Sequence, residues 1–120
     1  MEKLEFHSYK RPNGHDEFVE WVRGLPKKDR AKLLRMISQI EDNGLLPAQR
    51  LQWIKKVDVN LYEIRSKTGS NIQRALYFHV VRGEYLITHG FTKKSQKTPK
   101  RELQHAKDLR KEWYLNHENR

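Results

Sequence analysis

Arginine is the side chain best suited to a phosphate, because its planar guanidinium donates two parallel hydrogen bonds. Two arginines in the middle of this chain, Arg65 and Arg74, flank Gly69-Ser70, a pair suited to a two-residue hairpin turn with glycine first. Such a turn sets Thr68 opposite Asn71 and Arg65 directly opposite Arg74. A second pair, Arg82-Gly83, suits another tight turn, which sets Arg74 opposite Phe91, Leu76 opposite His89 and Ile72 opposite Lys93. Strand alternation then gathers Arg65, Arg74, His89 and Lys93 on one face, together with Leu61, Leu76, Phe78, Ile87 and Phe91. Two like charges directly opposite destabilise a sheet, so this register asks for an anion between the arginines. Lys93-Lys94-Ser95-Gln96-Lys97-Thr98-Pro99-Lys100-Arg101 follows, with five cations and no acid. It leads into the donor-rich start of a helix. Together these residues can bind a phosphate and stabilise charge that develops on it.

Other chemistries find no support. There is no cysteine, which excludes disulfides, thiolate catalysis and cysteine zinc sites. The chain lacks G-x-x-x-x-G-K-[ST], G-x-G-x-x-G and H-E-x-x-H. The six histidines make no metal-ligand spacing, so no metal and no cofactor are expected. His89, near the basic cluster, is the one histidine placed to move a proton. Trp21, Trp53 and Trp113 read as core residues, with Trp53, beside Lys55-Lys56, also able to stack on a base.

The net charge agrees with a polyanionic partner. The 120 residues carry 25 Lys+Arg against 15 Asp+Glu, a formal +10. Residues 61–100 hold eight basic side chains and two acidic ones, so this third supplies more than half of the excess. The length fits one domain, residues 1–120. No apolar run approaches a membrane span, and residues 1–18 lack the apolar stretch of a signal peptide. A cytoplasmic protein with no membrane partner is expected.

The elements that must position these groups follow from periodicity. Leu4 and Phe6 alternate with polar residues as a short strand. Phe18, Trp21, Val22 and Leu25 recur with helical spacing, ended by Gly24 and Pro26. Ala31, Leu33, Leu34, Ile37 and Ile40 make a second helix that stops at Asn43-Gly44. Residues 45–52 read as loop. Strands are expected at 53–57, 61–65, 72–81 and 85–91. Thr98-Pro99 reads as an N-cap with proline at the first position of a last helix, whose stripe is Leu103, Ala106, Leu109 and Trp113. The order β-α-α-β-β-β-β-α indicates an α+β domain.

The runs Leu61-Tyr62-Glu63-Ile64-Arg65, Gln73-Arg74-Ala75-Leu76-Tyr77-Phe78 and His89 to Pro99 resemble the RelE/HigB superfamily of bacterial toxins, and more narrowly its phage-derived branch. The resemblance covers about residues 50–113, and Gly90-Phe91-Thr92-Lys93-Lys94-Ser95-Gln96-Lys97-Thr98-Pro99 is its most specific part. It implies a compact, antiparallel-rich sheet with an N-terminal helical hairpin and a C-terminal helix. It also implies a toxin of a type II toxin–antitoxin system, an endoribonuclease that cleaves mRNA on the ribosome without a metal. Its partners would be mRNA, the ribosome and a cognate antitoxin, typically a helix-turn-helix protein. By position, Arg65, Arg74, Lys93 and Lys94 match catalytic basic residues, while Lys67, His89, Lys97 and Lys100 are expected to hold RNA. Glu63 departs from relatives that carry lysine there. ParE-like relatives share the fold but inhibit DNA gyrase, and a phage nucleic-acid-binding protein without catalysis is a further alternative.

Overall fold

The structure, a computed structural model, describes residues 4–93 and 97–117. Lys94 of the expected site lies outside them. The elements are β1 (Glu5–Ser8), α1 (Glu17–Arg23), α2 (Lys27–Asn43), α3 (Leu45–Arg50), β2 (Ile54–Asp58), β3 (Leu61–Thr68), β4 (Asn71–His79), β5 (Glu84–Lys93) and α4 (Lys100–His117). The α+β architecture and the order of its main elements are those expected. The short α3 replaces an expected loop. Pro47 falls in its first turn, where no intrahelical donor is lost, and Ala48 is buried beneath it.

The five strands lie in the order β1-β5-β4-β3-β2. β1 runs parallel to β5 and the other neighbours are antiparallel. Helices cover both faces. On one side, Phe18, Val22, Leu33, Met36, Ile37 and Ile40 from α1 and α2 bury Ile64, Ala75, Tyr77 and Ile87. On the other, Ala106 of α4 packs on Leu61, Leu76 and Phe91, and Trp113 meets Phe78 edge-on. The central strand β4 is buried without a break from Ile72 to Phe78. A strand covered on both faces must satisfy its polar side chains internally. Gln73 does so by donating to Asp29 Oδ2 of α2 at 2.7 Å and accepting from Thr92 Oγ1 at 2.5 Å.

Asp16 caps α1 by accepting from Val19 N at 3.0 Å. Thr98 does not cap α4 as expected: the Pro99 carbonyl accepts the first helical bonds, and the Thr98 hydroxyl turns inward instead. At the far end α4 is clamped to the N-terminal turn. Arg11 grips Glu112 with two parallel bonds of 3.0 Å and Glu17 with one of 2.8 Å, while Tyr9 donates to Glu112 at 2.8 Å.

Both expected registers hold where the basic residues lie. Arg65 pairs with Arg74, Arg74 with Phe91, Leu76 with His89 and Ile72 with Lys93. Past Leu76 the β4–β5 register shifts, and Tyr77 pairs with Ile87. Thr88 is the extra residue of this bulge, its hydroxyl donating to the Leu76 carbonyl at 3.2 Å. One inserted residue reverses which face every following side chain takes. Ile87 therefore lies in the α1–α2 core and not on the face of Leu76, where alternation had set it. No described helix is long and apolar enough to cross a membrane.

Candidate functional site

The anion between the two opposed arginines is part of the protein. Glu63 stands two residues before Arg65 on β3, so alternation sends both side chains to one face. Its carboxylate is fully buried. Oε1 accepts from Arg65 Nε at 2.5 Å, and Arg74 Nε lies 3.9 Å from the same oxygen. Oε2 accepts from the Thr98 hydroxyl at 2.7 Å. One carboxylate thus serves both arginines and pins the segment leading into α4. Arg74 is itself fully buried, with its guanidinium carbon 5.9 Å from the centre of the Phe91 ring. Burial lowers its pKa, and the Glu63 charge opposes that shift.

Arg65 differs from Arg74 in where it ends. Its backbone N–H donates to the Trp53 carbonyl just before β2 begins, and β2 pairs with β3 only as far as Ile64. Past that point β3 is the edge of the sheet. Arg65 and Lys67 line a groove there, closed on the other side by α2 and residues 51–53. Its volume is about 460 Å³, and Lys32, Arg35, Arg65 and Lys67 are its charged lining. Among the described residues, no carboxylate lines it. Trp53 and Met36 give it an apolar floor. Lys32 also donates to the Lys67 carbonyl, tying α2 to the strand edge. The groove can hold an anionic group beside an apolar ring face, the combination that suits a nucleotide.

Of the other residues anticipated for the site, Lys93 ends β5 opposite Ile72, which lines the groove. Lys97 lines a second pocket, on the α4 side of β2, and Lys100 is exposed in the first turn of α4. His89 is buried under α4. Lys32 and Arg35 lie thirty or more positions before Arg65, on a helix whose sequence pattern signals only its apolar stripe, so nothing local to the strands points to them. Glu63 was seen only as a departure from a pattern. Among the described residues, no group of three or more His, Cys, Asp or Glu can hold a metal ion.

His89 has a structural account. Its ring nitrogens lie 3.2 Å from Thr88 Oγ1 and 3.2 Å from Glu102 Oε1. His105 meets it edge-on with centroids 4.7 Å apart, and Glu17 in turn bonds His105 at 2.6 Å. Burial lowers the His89 pKa below its ordinary 6.5, with the Glu102 hydrogen bond opposing and the His105 charge adding to the shift. A histidine whose folded pKa is depressed favours folding while neutral. That contribution is whole above pH 6.5 and fades as pH falls through the folded value. Denaturant titrations from neutral into mildly acidic buffer should show wild-type stability declining, with His89→Gln declining less. A variant curve parallel to wild type would remove His89 from that acid response.

No curated protein matches the chain. A family model does, across residues 20–111, from the middle of α1 to the last turns of α4, so that it takes in the groove, Glu63 and both arginines. The chain belongs to the phage-derived, Gp49-like protein family (DUF891), a family of toxin-like proteins.

Proposed function

We propose that the protein is the toxin of a type II toxin–antitoxin system and acts in the cytoplasm as an endoribonuclease on mRNA bound to the ribosome, held inactive by a cognate antitoxin. The observation that carries this reading is the open cationic groove with Arg65 on its wall, held from behind by Glu63. Cleavage by transesterification needs a base to take the proton of the ribose 2′-hydroxyl, the 2′-oxygen in line with the adjacent phosphate so that the new 2′-O–P bond forms as the P–5′-O bond breaks, relief of the charge growing on that phosphate, and a proton for the departing 5′-oxygen. Arg65 supplies a fixed guanidinium for the phosphate. Its Nε is engaged by Glu63, which sets the orientation of the planar fork. Lys67, Lys32 and Arg35 hold the flanking backbone. Lys93, one strand over from the groove, and its neighbour Lys94 are the candidate proton donors. Arg74, buried behind Arg65, acts by holding Glu63 and through its charge.

Expression with mapping of mRNA 5′ ends tests this. Wild type should arrest growth and leave cuts within translated frames. Arg65→Ala should lower cleavage by about 10²- to 10³-fold, the usual effect of removing one transition-state donor, in protein that still melts cooperatively but at a lower midpoint, because the buried Glu63 loses one of its partners. Growth arrest with intact mRNA and blocked gyrase supercoiling would overturn the reading in favour of a gyrase-directed toxin.

A further inference from the structure

The groove beside α2 has a counterpart across the sheet edge. β2 is the outermost strand, so it has a free long side and two faces. Ile54 turns into the α1–α2 core and pairs with Ile64. Alternation therefore sends Lys55, the next residue, to the α4 side, where it stands opposite Glu63. There Lys55, Lys56, Val57, Lys97, Thr98 and Leu103 line a pocket of about 380 Å³. Three of the six are lysines and none is acidic. This pocket and the groove are joined through the protein by a single carboxylate: Thr98 donates to one oxygen of Glu63 and Arg65 to the other. Trp53, on the groove side, immediately precedes the strand that separates the two.

We infer that the Lys55–Lys56–Lys97 pocket is a second backbone-binding site for single-stranded RNA, so that one strand crosses the sheet edge where β2 begins, with phosphates held in the groove on one side and in this pocket on the other. The inference rests on the RNA reading of the groove and extends it from one nucleotide to a track. Two cation clusters whose linings hold no acid, one at the open edge of β3 and one on the α4 side of β2, suit a chain of phosphates, whereas a single phosphate would occupy only one of them. Because the edge strand is narrow, a flexible single strand can fold over it and a stiff duplex cannot. Lysines on an edge strand also discourage pairing with a strand of another protein chain, which keeps this edge open to a nucleic acid.

Fluorescence anisotropy with labelled 2′-O-methyl oligouridylates, which bind but cannot be cleaved through the 2′-oxygen, separates the two sites. Lys55→Gln, Lys56→Gln and Lys97→Gln together should weaken a 12-mer at least tenfold and leave a 3-mer within twofold of wild type. The salt dependence for the 12-mer should flatten by about two units of log–log slope, since each phosphate neutralised on a single strand adds about 0.7. Lys32→Gln with Arg35→Gln should weaken both lengths. A triple variant that binds the 12-mer like wild type would overturn the inference while leaving the groove's role intact. Wild type that binds neither length would overturn the RNA reading itself. Displacement of the 12-mer by poly-glutamate of equal charge, as readily as by unlabelled 12-mer, would also overturn the inference, since an acidic polypeptide would then be the fitting occupant.

Discussion

Replacing Glu63 with leucine is expected to cost the fold about 3–5 kcal/mol, the usual effect of removing one partner from a buried ion pair. The reason lies in what remains. Arg74 is fully buried and Arg65 nearly so, and they sit directly opposite each other across β3 and β4. Without the carboxylate the sheet holds two like charges in register, and the Thr98 hydroxyl loses its acceptor. Guanidinium unfolding reads this as a lower midpoint. Adding Arg74→Met to Glu63→Leu should recover part of the loss, because one of the two opposed charges goes with it. A Glu63→Leu midpoint equal to wild type would show that the carboxylate is not what holds the arginines together. Glu63→Gln keeps an acceptor for Thr98 and should fall between the two.

The second large effect is expected at Gly90. A Cβ at this position would lie 2.2 Å from two ring carbons of Trp21, Cε3 and Cζ3. Trp21 packs on the buried cluster beside Phe18, whose ring centroid is 6.0 Å away. The contact is with the indole ring and not with the tip of a flexible chain, so even Gly90→Ala forces the ring to shift from its place between α1 and β5. The expected loss is about 1–3 kcal/mol, the range for forced overpacking. The test is a double-mutant cycle. Trp21→Leu opens the space, and the pair Gly90→Ala with Trp21→Leu should lose less than the two single variants together, by about 1 kcal/mol or more. Strict additivity would mean that the clash is relieved elsewhere.

Much of the site was legible because turn chemistry fixes register. Gly69-Ser70 alone was enough to set Arg65 against Arg74, and the structure has that pairing. The same register contained the missed residue. It places Glu63 on the face of Arg65, opposite Leu76, but a glutamate between apolar strand residues reads as one more solvated side chain until α4 is known to cover it. Ile87 was misassigned for a different reason: the Thr88 bulge depends on packing and has no turn residue to announce it. The groove itself needs Lys32 and Arg35 of α2 to meet the edge of β3. Nothing in the local pattern of either segment specifies that meeting. It follows from how Asp29 and Gln73 lock the helix across the sheet.

The clamp between the N-terminal turn and α4 has a kinetic consequence. Tyr9 and Glu112 are separated by 103 positions along the chain, and Arg11 and Glu112 by 101. Closing so long a loop is among the slowest steps a small domain takes. During synthesis the Tyr9 hydroxyl lacks its acceptor until Glu112 has emerged, while the β2–β3–β4 hairpins can pair from neighbouring residues alone. β1, which needs β5, must also wait. The molecule therefore matures from its middle outward, and its first strand docks among the last steps.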